Sequence, residues 1–400
     1  MIKHADQKTR ATVFNRRGWA GVIGAGLCAV ALAACVEAPE ADSPTALGVA
    51  ELLMTDPARG EDFTPEADDR REIVIRAWYP AQESEAPVAA YFSPDEAAYL
   101  AQLLGGGPEM QTAVGEIGGA LRLRAQADAP VRGSAATYPT VVFLPGLYEM
   151  PEFYSGLAEK LADSGYMVLA VNHPFDSVYT RLSGGRVATH DTLLDPSSDT
   201  PETQGAYRDR AVKLRVADTC FLLDALRTQA PGQHPLLAHV DPDRIVLAGH
   251  SVGGSALSTM TCTENVAAMI VLDANSATPV PAIEVPLLVL QSQEAAIEPT
   301  MAELVRKSRA GGFHAVIPDS YHQSFTDKGL IARDVPALAA ALDGASLIPD
   351  AAAVSKLIED LTVAFLSRFV RGSDDGALEE MFEALGHDTT VTVVQPASTL

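Results

Sequence analysis

Positive charge is scarce in this chain. Its 400 residues carry 29 lysines and arginines against 52 aspartates and glutamates, a formal net charge of −23. A surface of that sign repels nucleic acid and anionic lipid head groups, so no nucleic-acid partner is expected. Cysteine is scarcer still, at four residues. No grouping of cysteine, histidine or carboxylate residues has metal-site spacing, which leaves neither a metal nor another cofactor in the expectation. No internal repeat is visible, and no linker-like break interrupts residues 46–372.

The basic residues that do occur include a cluster at the start. Lys3, Lys8, Arg10, Arg16 and Arg17 precede an apolar Ala/Gly-rich stretch, Gly18 to Ala34, which ends in Leu32-Ala33-Ala34-Cys35. This resembles the lipobox of bacterial lipoproteins, in which the cysteine is acylated. Residues 1–34 are therefore expected to be a lipoprotein signal peptide and Cys35 the lipidation site. The alternatives are a plain signal peptide or a short membrane anchor, although the stretch is short and Gly-rich for a spanning helix. The Arg16-Arg17 pair fits twin-arginine export poorly. Residues 35–47, rich in Ala, Pro, Glu and Asp, read as a flexible tether. The protein would then sit in the bacterial cell envelope, held to the membrane by acyl chains at about 0.8 kcal/mol per buried methylene. Cys28 falls in the leader. Cys220 and Cys262 remain, both on predicted helices, and read first as two buried thiols, with a disulfide as the alternative for an exported protein.

Strand and helix signals alternate through residues 48–372. Glu72 to Tyr79 alternates apolar and polar residues, as a half-exposed strand does. Val141 to Leu144, Met167 to Val171, Ile245 to Ala248, Met269 to Leu272, Leu287 to Gln291 and His314 to Ile317 are short apolar strands suited to a sheet covered on both faces. Helices are expected at Phe153 to Ser164, Tyr207 to Thr228, Met301 to Ser308 and Ser355 to Arg368. The polar stretch from Arg181 to Gly205 is too long for a simple connection and is a candidate functional loop. The pattern predicts one α/β domain with a doubly wound, mostly parallel sheet, followed by a C-terminal tail at 373–400.

Gly249-His250-Ser251-Val252-Gly253 stands between an apolar strand and a helix-compatible segment. Strand, sharp turn and helix is the setting that exposes a nucleophilic serine, the nucleophile elbow of the α/β-hydrolase fold. A serine hydroxyl needs a base, and the base needs an acid, in the chain order Ser, acid, His. Among nine histidines, His314, His322 and His387 follow the elbow. His314 lies within a predicted strand and His387 in the polar tail. His322, just past the last strand, is the candidate base. His250 should point away from the serine hydroxyl, and His173 and His190 come too early. Asp273 ends the strand after the elbow, where a carboxylate needs a partner. It is the preferred acid, with Glu294, then Glu298, as alternatives. An oxyanion hole would draw one N–H from Val252 and one from Leu147, after Gly146.

Several of these segments resemble the platelet-activating factor acetylhydrolase family: Tyr138 to Gly146, Gly249 to Gly254, Leu272-Asp273-Ala274, Val285-Pro286-Leu287 and Ser320 to Phe325, with Arg76 to Pro80 similar to the family's first strand. The aspartate one strand after the serine is the discriminating point. The resemblance covers roughly residues 48 to 372. It implies calcium-independent hydrolysis of short or oxidised acyl esters through Ser251, Asp273 and His322, with Leu147 and Val252 as oxyanion donors. It further implies a small ester or phospholipid substrate. The loop 181–205 has no clear match in the animal enzymes, and the acidity and lipobox imply another setting. A general esterase, lipase or polyester hydrolase is the nearby alternative, and a non-catalytic envelope binding protein the distant one.

Overall fold

Apolar strands form the centre of the structure, a computed structural model that describes residues 46–190, 201–228, 234–294, 299–342, 345–373, 376–385 and 391–394. The chain begins with β1 (Leu47–Gly60) and β2 (Arg70–Pro80), an antiparallel pair. Two helices follow, α1 (Pro94–Leu103) and α2 (Pro108–Ala120), then the short β3 (Gln126–Ala127). A capping box starts α1: Ser93 Oγ accepts from the Glu96 amide, and Glu96 Oε2 accepts from the Ser93 amide. The central alternation then runs β4 (Tyr138–Leu144), α3 (Ser155–Asp163) and β5 (Met167–Asn172). A small hairpin of β6 (Tyr179–Arg181) and β7 (Val187–Thr189) leads to α4 (Pro201–Thr228). Next come β8 (Val240–His250), α5 (Val252–Leu257), β9 (Val266–Leu272) and β10 (Leu287–Ser292). The chain continues through α6 (Pro299–Arg306), β11 (Gly312–Ile317), α7 (Lys328–Asp334), α8 (Ala351–Arg371), α9 (Ala377–Leu385) and β12 (Val391–Val394).

Among the described residues ten strands make one sheet in the order β12-β11-β10-β9-β8-β4-β5-β2-β1-β3. The six from β5 to β11 are mutually parallel. Successive side chains of a strand face opposite ways, and both faces are covered. Val142, Leu144 and Leu247 pack with Leu222, Leu223 and Leu226 of α4. Val141, Phe143, Val246 and Ala248 pack with Leu161 of α3 and Leu361 and Phe365 of α8. After β4 the chain moves outward to β5, then returns to the far side of β4 with β8. That reversal is a topological switch point at the carboxyl ends of β4 and β8, the place where sheets of this kind bind ligands.

The structure extends the sequence reading at both ends of the domain. β1, α1 and α2 lie outside it, because their apolar residues are interleaved with Gly, Glu and Gln. The segment expected as a tail contributes α9, whose Leu378 and Phe382 are buried in the core, and β12, which pairs antiparallel with β11. Within the loop 181–205 stand part of the β6–β7 hairpin and the first residues of α4; residues 191–200, like Cys35, Glu298 and His387, lie outside the described residues. Among the described residues no helix is long and apolar enough to cross a membrane.

The reading of Cys220 and Cys262 as two thiols is corrected: they form a disulfide. Cys262 is not helical, because α5 ends at Leu257 and the chain then folds back along α4. The bond closes a loop with a sequence separation of 42. A cross-link of that span restricts the unfolded chain, so Cys220→Ser/Cys262→Ser should lower the unfolding free energy by roughly 3–4 kcal/mol in a urea titration.

Candidate active site

Between β8 and α5 the backbone bends sharply at Ser251, with φ 56° and ψ −123°. This is left-handed territory that a side chain normally avoids, and neighbouring glycines make it sterically feasible. A Cβ on Gly249 would lie 2.6 Å from the Gly253 carbonyl carbon, and one on Gly253 would run into the Leu144 carbonyl of the adjacent strand. The Ser251 amide donates to the Leu272 carbonyl at 3.0 Å, which fixes the turn to the end of β9.

Asp273 follows immediately on β9 and His322 follows β11. The structure brings both to Ser251. His322 Nε2 lies 2.9 Å from Ser251 Oγ, and its Nδ1 lies 2.6 Å from Asp273 Oδ2. A carboxylate only accepts, so the ring hydrogen is on Nδ1 and the Nε2 lone pair faces the hydroxyl. The other Asp273 oxygen accepts from the Ser292 amide at 2.6 Å, so this buried carboxylate is held from two sides. Glu294, the alternative acid, instead accepts from the backbone N–H of His322 at 3.3 Å. His314 is buried in β11 with Nε2 2.7 Å from Gln291 Oε1, and burial lowers its pKa to about 4. His173 pairs with Asp218 away from the serine, and His190 packs against Tyr148.

His250 points away from the hydroxyl as expected, yet it is built into the site. Its Nε2 lies 3.1 Å from the His322 carbonyl and its Nδ1 lies 2.9 Å from Tyr154 Oη. Burial, with His322 and Lys328 nearby, holds its pKa well below the usual histidine value, so the ring is neutral. A carbonyl cannot donate. The hydrogen therefore sits on Nε2, Tyr154 donates to Nδ1, and Tyr154 Oη accepts from the Gly146 amide at 2.9 Å. One neutral ring thus ties the loop of His322 to the loop after β4. Sequence reasoning misses this role because Tyr154 lies 96 residues away; the available signal is a polar residue closing a buried strand, which requires partners.

Val252 opens α5, where a helical N–H has no acceptor within the helix. Leu147 follows Gly146, whose Cα faces Ser251: an added Cβ would lie 3.3 Å from Ser251 Cβ. Among the described residues no cluster of three or more His, Cys, Asp or Glu side chains could hold a metal ion.

The segment bearing His322 is secured by Asp327. This buried carboxyl accepts from Tyr91 Oη at 2.9 Å and from the Gly156 amide at 3.1 Å. Burial pushes its pKa up to about 8, against the opposing pull of its hydrogen bonds. An unfolded aspartate ionises near 4, so folding takes up a proton between those values. Stability then falls as pH rises towards the folded value, by up to about 1.4 kcal/mol per unit. Asp327→Asn keeps the neutral form and should flatten the decline in unfolding free energy between about pH 5 and 8, read by urea titration at each pH.

The parallel strand sequence reversing between β4 and β8, with the serine elbow at the reversal, defines an α/β-hydrolase fold. The chain belongs to the platelet-activating factor acetylhydrolase, isoform II family, which it matches over residues 39–375. A probable 1-alkyl-2-acetylglycerophosphocholine esterase of Arthroderma benhamiae is 29% identical over 136 residues, 34% of this chain and 31% of that protein. The platelet-activating factor acetylhydrolase of Cavia porcellus is 21% identical over 243 residues, 55% of this chain and 51% of that protein. The chain thus spans about a third of the first relative's length and about half of the second's. A solved structure of the ferulic acid esterase from Streptomyces cinnamoneus is similar, with a TM-score of 0.69, 25% identity, and coverage of 90% of this chain and 98% of that one.

Proposed function

We propose that this protein is a calcium-independent serine ester hydrolase that cleaves short or oxidised acyl esters through Ser251, His322 and Asp273. The observation that carries the reading is the unbroken hydrogen-bonded line from Ser251 Oγ through His322 to Asp273, placed where the strand order of the sheet reverses. Ser251 attacks the acyl carbonyl while His322 Nε2 takes its proton. The same nitrogen then protonates the leaving alcohol and activates water to release the acyl group from Ser251. Asp273 holds the tautomer and stabilises the charged ring. The amides of Leu147 and Val252 receive the negative charge of the tetrahedral intermediate, each contributing about 3 kcal/mol.

Family membership and the names of the two curated relatives support a glycerophospholipid with a short acyl chain at its second position. The ferulic acid esterase, similar over nearly its whole length, supports a second reading as a broader carboxylesterase. Nitrophenyl esters of increasing chain length separate the two: sharp preference for acetyl supports the first, and broad acceptance the second. In either case Ser251→Ala should lower kcat by roughly a thousand-fold or more. A fluorophosphonate should add to Ser251, as read by peptide mass spectrometry. An active Ser251→Ala variant would refute both readings.

The lipobox-like run ending at Cys35 supports attachment to the cell envelope through acyl chains. Cys35→Ser should move the protein from the membrane pellet to the soluble fraction, and unchanged fractionation would refute lipid anchoring at this residue.

A further inference from the structure

Arg215, on α4, is fully buried, and all five of its N–H donors are used. Its Nη1 donates to Asp176 Oδ2 at 2.6 Å and to the carbonyl of Ala211, one turn back, at 3.4 Å. Its Nη2 donates to Asp176 Oδ1 at 2.9 Å and to the Gly146 carbonyl at 2.7 Å. Its Nε donates to the Pro145 carbonyl at 3.2 Å. Two of the five bonds therefore fall on consecutive carbonyls of the loop after β4. A buried ion pair is a weak source of stability, since apolar residues of similar volume often do as well. What apolar residues cannot do is hold two carbonyls in fixed directions.

We infer that Arg215 is a positioning residue that aims the Leu147 N–H at the developing oxyanion, an inference that rests on the ester-hydrolase reading above. The peptide between Gly146 and Leu147 is trans, so its C=O and N–H point to opposite sides of one plane. Arg215 grips the C=O, and the N–H is turned the other way. On the preceding peptide, Tyr154 Oη accepts the Gly146 N–H. Both peptide groups around Gly146 are thereby fixed, with its Cα against Ser251. Asp176 supplies the countercharge and is itself anchored: its amide donates to the His173 carbonyl at 3.1 Å. One helical turn beyond Arg215, Asp218 binds His173 Nδ1 at 2.9 Å and Arg71 by two bonds. The loop after β5 is thus clamped to α4 at two successive points. A lysine carries the charge but lacks the planar fork that serves a carboxylate and two carbonyls together.

Removing Arg215 alone would strand the Asp176 carboxylate, so the test uses Arg215→Met/Asp176→Leu and, separately, Arg215→Lys, in the full chain. Circular dichroism selects variants that are folded at the assay temperature. For a nitrophenyl ester the wild type accepts, kcat should fall by about a hundred-fold, the range typical of a lost oxyanion donor, with KM changed less than about threefold. Affinity for a trifluoromethyl ketone, which forms a tetrahedral adduct at the serine, should fall in step with kcat/KM. The acidic limb of the kcat/KM pH profile should not move, because the His322–Asp273 pair is untouched. A folded variant that keeps kcat within about tenfold, or loses it through KM or a moved pH limb, overturns the positioning role while ester hydrolysis by the wild type stands. A wild type that hydrolyses no ester overturns both.

Discussion

The backbone of Ser251 can adopt its strained conformation only because no side chain stands between the end of β8, the start of α5 and the end of β4. Gly249, Gly253 and Gly254 provide that freedom, and Gly253 most directly, since its Cα lies against the Leu144 carbonyl. The close approach brings the loop after β4 beside the serine. The Ser251 amide bonds to Leu272, so the residue that follows Leu272, Asp273, begins at a fixed offset from Ser251. Strand pairing from β9 through β11 then carries that offset to the loop of His322.

Charge inside the domain is handled in two ways. Where rigidity of a loop matters, a guanidinium meets a carboxylate: Arg71 with Asp218, and Arg215 with Asp176. Burial alone would raise the Asp218 pKa, but Arg71 and His173 draw it far below the usual carboxylate range. Where burial outweighs the partners at hand, the group gives up its charge. Asp327 and Glu152 are held towards the neutral acid by burial, and His250 and His173 towards the neutral ring. The neutral histidine is the more informative case, because only an uncharged His250 can accept from Tyr154 while donating to the His322 carbonyl.

Much of the site is legible in local sequence pattern. The elbow lies in five letters and the apolar strand ahead of them. Asp273 is preferred over Glu294 because a carboxylate closing a buried strand requires a partner, and His322 is preferred because it follows the last apolar strand. The structure brings these residues together, with Glu294 turned to the His322 backbone. What stays hidden depends on distance along the chain. Nothing near His250 announces Tyr154, and nothing near Arg215 announces Pro145 and Gly146, 70 and 69 residues earlier. Cys220 and Cys262 look like separate thiols because the small residues after the elbow suggest a helix longer than α5. The last strand resembles tail because Val391 to Val394 is brief and follows a polar stretch, and its partner β11 is what makes it a strand.

The division of β8 between two apolar layers has a consequence for how this chain could change over evolution. Ile245 and Leu247 belong to one layer, Val246 and Ala248 to the other, and the serine comes three residues later. Inserting a single residue within that run would exchange the two layers and invert the parity linking core to Ser251. Surface loops can lengthen freely, whereas this interval is restricted to its present count. The strand acts as a ruler whose graduations are pairs, and drift in the family should spare its length even where its letters turn over.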